Sequence, residues 1–81
     1  MRKPIIAGNW KMNMTPSECV KLISELRAQA GEAKCDVVIC PPYVDLQAAH
    51  EALAGSNIKL GAQNIHWAAK GAFTGEVSAD M

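Results

Sequence analysis

Three short apolar runs alternate with two segments of helical periodicity along this chain. The apolar runs occupy residues 4–8, 36–40 and 58–64, and the second is rich in β-branched side chains, which favour strands. Apolar runs without alternation are typical of strands covered on both faces, as in parallel sheets. We therefore predict three strands, of which the first two are buried.

The clearer of the two helix signals begins at Thr15. Thr15 and Glu18 have the spacing of a capping box, and Pro16 suits the first helical position. Apolar residues then recur on one helical face, and Gly31 follows at a position typical of the C′ glycine. The predicted members of that face are Cys19, Leu22, Ile23, Leu26 and Ala30.

The second helical segment covers residues 43–53 and has a weaker apolar face. Asp45 lies near its positive end, and the turn residues 55–57 close it. The predicted members of its apolar face are Val44, Ala48 and Ala52.

The order of these elements is strand, helix, strand, helix, strand, which amounts to two βαβ units. Such crossovers are almost always parallel and right-handed, so the predicted fold class is α/β. Small residues at Gly61 and Ala62 predict the close approach of a neighbouring backbone. The long connection 65–77 is of a length that is usually functional, and residues 78–80 have the pattern of a new helix cap.

The composition describes one small soluble domain. The chain has 81 residues, of which 49% are hydrophobic and 20% charged. Its formal net charge of +0 argues against nucleic acid or an anionic membrane as partner. Asn9 and Lys11 interrupt the first apolar run, so we expect neither a signal peptide nor a membrane span.

The three cysteines show no pattern of a disulfide framework or a metal site. Cys19, Cys35 and Cys40 are odd in number and lack metal-ligand spacing. We expect reduced thiols in a cytoplasmic protein and no structural zinc.

The most promising chemistry is a polar set at the ends of two predicted strands. Asn9 and Lys11 follow the first strand, and Gln63 and Asn64 end the third. Because the carboxyl ends of parallel strands converge on one crevice, these groups should lie close together. Amides beside a lysine could hold its ammonium in place to stabilise negative charge on oxygen. The alternative is a polar network that only satisfies itself, with Lys11 extended into water.

The remaining polar residues carry weaker signals. A lone helical histidine such as His50 is usually a surface residue, and His66 has no partner at the spacing of a catalytic triad. Glu76 and Asp80 could form a carboxylate pair, although a capping role explains both. Neither glycine-rich nucleotide-binding fingerprint is present.

Four motifs together closely resemble the amino-terminal part of the triosephosphate isomerases. They are PIIAGNWKMN at 4–13, CPP at 40–42, GAQN at 61–64 and GAFTGEVS at 71–78. The resemblance covers the whole chain and implies a (β/α)8 barrel, which takes about 250 residues when complete. It therefore implies that residues 1–81 are the amino-terminal part of a single barrel domain, from the first strand to the start of the third helix.

The resemblance implies interconversion of dihydroxyacetone phosphate and D-glyceraldehyde 3-phosphate through an enediol or enediolate. This reaction belongs to glycolysis and gluconeogenesis and uses no metal or organic cofactor. Lys11 matches the family's active-site lysine and Asn9 its substrate-contacting asparagine, with Gln63 and Asn64 packed behind them. Three residues match the loop that joins the family's homodimer, and they are Phe73, Thr74 and Glu76.

The resemblance also implies that part of the catalytic machinery is missing from this sequence. The family's electrophilic histidine, its glutamate base and its phosphate-binding loops belong to motifs beyond Met81, and neither His50 nor His66 matches that histidine. We therefore expect an isomerase segment that needs a complementary carboxyl-terminal barrel segment for activity. The alternatives are a non-catalytic folding or assembly fragment, whose unpaired strand edges would favour self-association, and a partial record of a longer enzyme.

Overall fold

The computed structural model describes residues 2–31 and 33–81. The elements are β1 (Ile5–Asn9), α1 (Pro16–Ala30), β2 (Asp36–Cys40), a 3-10 turn (Tyr43–Asp45), α2 (Leu46–Ala52) and β3 (Ile58–Leu60). The strands form one parallel sheet in the order β1-β2-β3, which confirms the predicted α/β class. Among the described residues, no helix combines the length and the apolar character that a membrane crossing requires.

Helix α1 begins as its sequence predicts. The Thr15 hydroxyl accepts a hydrogen bond from the Glu18 amide at 3.4 Å, and the Glu18 carboxylate accepts one from the Thr15 amide at 2.9 Å. These bonds from Thr15 hold the pKa of Glu18 below its usual value. The helix ends at Ala30, but Gly31 is right-handed with φ −61° rather than a left-handed C′ glycine. Glycine accommodates either hand, and here the chain continues the helical turn.

The core lies between the helices and one face of the sheet. Cys19 and Ile23 of α1 are fully buried, and Leu26 and Ala30 pack against them, as the predicted face requires. Ile39, Ala49, Leu53 and Ile58 complete the buried hydrophobic core of the described residues.

A side chain of α1 also closes the end of α2. The guanidinium of Arg27 donates hydrogen bonds to the carbonyls of Ala52 and Ala54 at 2.9 and 2.8 Å. The last carbonyls of a helix have no partner within it, so this contact joins the two helices at the end of α2.

The predicted apolar face of the second helix is correct at Ala52, which packs against the core, and wrong at Val44. Val44 is 69% exposed, whereas Ala49, which was not among the predicted members, is fully buried. The segment opens with the 3-10 turn, whose period of three residues displaces the α-helical pattern that follows. The same turn leaves Asp45 fully buried, although its side chain forms no capping hydrogen bond.

The first strand is open to solvent, contrary to the prediction that it is buried on both faces. Ile5 and Ile6 are 64% and 61% exposed. Strand β1 is an edge strand, paired only with β2, and among the described elements nothing covers it further. Strand β1 thus has the apolar composition of a buried strand, but within this chain its side chains are exposed.

The third strand is shorter than predicted, and in the register of the sheet residues 62–64 would lie opposite residues beyond the end of β2 at Cys40. Residue pairing between β2 and β3 stops at Ile39 and Leu60, and Pro41 follows β2. A β-carbon at Gly61 would lie 3.1 Å from the Cys40 sulfur, so a thiol rather than a backbone makes the predicted close approach.

Residues 78–81 form no helical turn. Ser78 instead forms a parallel bridge with His66, whose amide donates a hydrogen bond to the Val77 carbonyl at 2.8 Å. The bridge closes the third loop, defined here as residues 65–77.

Candidate functional site

The three segments that follow the strands are tied together at one edge of the sheet. Asn9 ends β1 beside Cys40, which ends β2. The Trp10 amide donates a hydrogen bond to the Cys40 carbonyl at 3.1 Å. The Gln63 side-chain amide donates to the same carbonyl at 2.8 Å and to the Lys11 carbonyl at 2.9 Å. We call these contacts the strand-end network.

The network fixes the backbone of Lys11 in an unusual conformation. Lys11 is left-handed with φ +57°, which is uncommon for a residue other than glycine and costs conformational energy. Its amide donates to the side-chain carbonyl of Asn9 at 2.9 Å, while its own carbonyl is held by Gln63. The chain is therefore held on both sides of Lys11.

This arrangement corrects the expected use of the two amides. The sequence suggested that they hold the lysine ammonium, whereas Asn9 and Gln63 hold the lysine backbone. The Lys11 side chain is exposed and forms no ion pair within residues 2–31 and 33–81. An ammonium on a fixed backbone is thus left available to an anionic ligand at the carboxyl ends of the strands.

Asn64, the fourth predicted member, is not joined to this network. No hydrogen bond links its side chain to Lys11 or Gln63 in the described part of the chain. It lines a separate groove beside Tyr43 and Ile65, between the 3-10 turn and the third loop. A supporting role for Asn64 therefore remains a prediction.

The predicted interface residues form the tip of the third loop. The Glu76 amide donates a hydrogen bond to the Phe73 carbonyl at 3.0 Å, which closes a four-residue turn. Gly75 has φ +88°, as the third position of a type II turn requires. Thr74 lies exposed at the second position, and Phe73 is 47% exposed. The structure brings these residues together at the loop surface.

Sequence reasoning missed the neighbours of His66. Its Nδ1 lies 3.9 Å from the Glu76 carboxylate, ten positions along the chain, and its side chain is only 9% exposed. The Glu76 carboxylate therefore lies beside a histidine and does not form the carboxylate pair with Asp80 that the sequence allowed. No short spacing in the sequence signals this contact, because the bridge between His66 and Ser78 creates it.

The other polar candidates behave as surface residues. His50 is exposed in the last turn of α2, in agreement with the surface interpretation. Within the described ranges, no three His, Cys, Asp or Glu side chains are grouped so that they could hold a metal ion.

Parallel strands joined by helices, with polar groups gathered at the carboxyl ends, define an α/β protein of the barrel or doubly wound kind. A sequence model of the family described as "Triosephosphate isomerase" matches residues 4–81. The chain therefore belongs to the triosephosphate isomerase family, as the four motifs predict.

Individual relatives give the same result. A triosephosphate isomerase of Thermoanaerobacter sp. (strain X514) is 59% identical over 81 residues, which cover 100% of this chain and 33% of that protein. The triosephosphate isomerases of Alkaliphilus metalliredigens (strain QYMF) and Clostridium perfringens (strain 13 / Type A) are 58% and 57% identical, with the same coverage. The chain thus spans about a third of the length of these relatives.

Proposed function

We propose that this chain supplies the lysine and asparagine of a triose-phosphate isomerase active site. The reaction is the interconversion of dihydroxyacetone phosphate and D-glyceraldehyde 3-phosphate through an enediol or enediolate, in glycolysis and gluconeogenesis. The observation that carries the proposal is the doubly held backbone of Lys11 at the strand ends of a member of this family.

The chemistry of the proposed residues fits this reaction. The substrate carries a phosphate, and negative charge develops on a substrate oxygen when a proton leaves the neighbouring carbon. The Lys11 ammonium attracts the anion and stabilises that oxygen, and a preorganised charge needs little rearrangement during the reaction. Asn9 uses its carbonyl oxygen to hold Lys11, which leaves its NH2 group to donate to substrate. Gln63 is a positioning residue behind Lys11.

The proton-transfer groups are assigned to the remaining barrel segment. In this proposal residues 1–81 are the amino-terminal part of a single (β/α)8 domain, and a complementary segment contributes the base, the electrophile and the phosphate loops. Coverage of a third of each relative supports this assignment. The assembled enzyme is defined here as this chain together with that segment, in one polypeptide or two.

The third loop is the proposed homodimer contact. Thr74 occupies the tip of a hydrogen-bonded turn and Phe73 presents apolar surface beside it, while Glu76 anchors the turn. A rigid exposed tip of this kind suits insertion into a second copy of the enzyme. A cytoplasmic location is proposed on the three free thiols, since none is in a disulfide.

The proposal is tested by mixing this chain with a carboxyl-terminal segment that completes the barrel. We expect isomerase activity that rises with the amount of complementary segment and saturates at equal stoichiometry. Each segment alone should be inactive. Absence of activity at every ratio, with a complex demonstrated by sedimentation, would exclude the assignment.

A second candidate function is that of a folding or assembly segment without a catalytic role. The exposed apolar strand β1, with Ile5 and Ile6 more than half exposed, favours association through the open sheet edge. Sedimentation at increasing concentration should then show self-association of the chain alone. A monomer at all concentrations, with one cooperative unfolding transition, would count against this function.

A further inference from the structure

The His66 imidazole is the centre of a small cluster inside the third loop. Its ring centroid lies 4.2 Å from that of Trp67 and 4.1 Å from that of Phe73. Offset or tilted ring contacts at such distances are stabilising beyond the area they bury. The imidazole is 9% exposed, although Trp67 is 90% exposed and Phe73 47% exposed. The least exposed of the three rings is therefore the polar one.

Backbone and charge contacts hold this imidazole from further sides. The His66 amide bonds the Val77 carbonyl, and the Glu76 carboxylate lies 3.9 Å from Nδ1. His66, near the start of the loop, therefore contacts two residues near its end. Nε2 is buried without a hydrogen-bond partner among the described residues, and His66 and Ser78 both line a cavity of about 50 Å³.

The Phe73 ring has neighbours on two sides. A β-carbon at Gly71 would lie 2.7 Å from the Phe73 ring, so the ring packs directly over a glycine backbone with φ +150°. Phe73 thus packs between Gly71 and the imidazole of His66. Phe73 also begins the turn that carries Thr74, so these contacts adjoin the loop tip.

We propose that His66 is the positioning residue of the third loop: its imidazole holds Phe73 in place and thereby fixes the turn that presents Thr74. The role of the loop tip in dimer formation rests on the proposed function, but the internal role of His66 does not. Nothing in the motifs of this chain assigns a role to His66.

Amide hydrogen exchange in the assembled enzyme tests the proposal directly. The Glu76 amide donates across the turn, so its exchange reports whether the turn is closed. We expect His66→Ala to accelerate that exchange by roughly tenfold or more, from the loss of two ring contacts. His50→Ala is the matched control, because that histidine is exposed on α2, and it should change nothing. Unchanged Glu76 exchange in His66→Ala would overturn the proposal.

A conservative variant separates positioning from general support. His66→Phe keeps a ring against Phe73 and should restore protection of the Glu76 amide to within about threefold of the original chain. If His66→Ala does not assemble, His66→Phe decides alone, since loss of protection there would also overturn the proposal. A loosened loop with an unchanged dimer dissociation constant would leave the role of His66 intact and would refute only the proposed dimer contact.

Discussion

Gln63 offers a sharp test of how the site is held, because its one NH2 group serves two loops. Both donated bonds are short, at 2.9 Å to the Lys11 carbonyl and 2.8 Å to the Cys40 carbonyl. Gln63→Leu removes the donors at similar size. Gln63→Glu keeps the shape but places a carboxylate oxygen against two carbonyl oxygens, which cannot donate to it.

The expected magnitudes follow from this geometry. Each ordinary hydrogen bond contributes about 0.5–1.5 kcal/mol net, so Gln63→Leu should lower the free energy of unfolding by about 1–3 kcal/mol. Gln63→Glu should lower it further at neutral pH because of repulsion. That repulsion raises the pKa of the introduced carboxyl in the folded state, so the lost stability should return in part as the pH falls and the acid can donate one bond.

Equilibrium denaturation of the assembled enzyme at neutral and acidic pH provides the assay. Gln47→Leu is the control, because the Gln47 amide donates a hydrogen bond to the Glu51 carboxylate on an exposed turn of α2. Its substitution should change the free energy of unfolding by no more than about 0.5 kcal/mol. A Gln63→Glu variant as stable as the original chain at neutral pH, or one whose deficit relative to Gln63→Leu did not shrink in acid, would contradict the role of these two hydrogen bonds.

Two further predictions concern the packing that supports the sheet. Burial, and then the nearby Glu18 charge, raise the pKa of Asp45, so this group stabilises the fold below its unfolded pKa and ceases to do so as the pH rises through its folded pKa. Asp45→Asn should therefore stabilise the chain at neutral pH, with a gain that disappears in acid. Thermal unfolding at several pH values measures this gain. A difference in unfolding temperature between variant and original chain that does not change with pH would contradict the prediction. Arg27→Ala should cost about 1–3 kcal/mol by freeing two carbonyls at the end of α2, whereas Arg27→Lys should recover part of that loss in denaturant titrations. Equal losses in the two variants would argue against the capping contact.

Local signals explain which elements the sequence predicts well. Helix α1 follows its capping box and apolar face because both depend on residues within a few positions of one another. Strand β2 agrees residue for residue with the predicted strand 36–40, which has a β-branched centre and ends before Pro41. In these segments the neighbouring residues alone specify the conformation.

The elements that differ depend on partners elsewhere in the chain. Residues 62–64 would lie opposite residues beyond the end of β2, and no feature of residues 58–64 carries that information. Val44 is exposed and Ala49, which the prediction did not include, is buried, because a 3-10 turn precedes α2 and small alanines specify the helix register weakly. The exposure of β1 depends on whether another element covers it, and the apolar residues of β1 do not predict that.

The candidate site shows the same division. The meeting of Asn9, Lys11 and Gln63 follows from parallel strands and was predicted. The hydrogen bonds among them could not be predicted, because these bonds depend on a left-handed Lys11 backbone, which lysine does not favour. The contact of His66 with Glu76 is likewise invisible until the bridge to Ser78 closes the loop.

The central claim is that the ammonium of Lys11 takes part in turnover, and Lys11→Met in the assembled enzyme tests it most directly. This substitution keeps an unbranched side chain and removes only the charge and its donors, while Lys70→Met, in the third loop, serves as the matched control. We predict that kcat/KM for dihydroxyacetone phosphate falls by about a hundredfold or more in Lys11→Met, with assembly and unfolding midpoint unchanged, and is retained in Lys70→Met. An assembled Lys11→Met enzyme with the kcat/KM of the original would contradict the account.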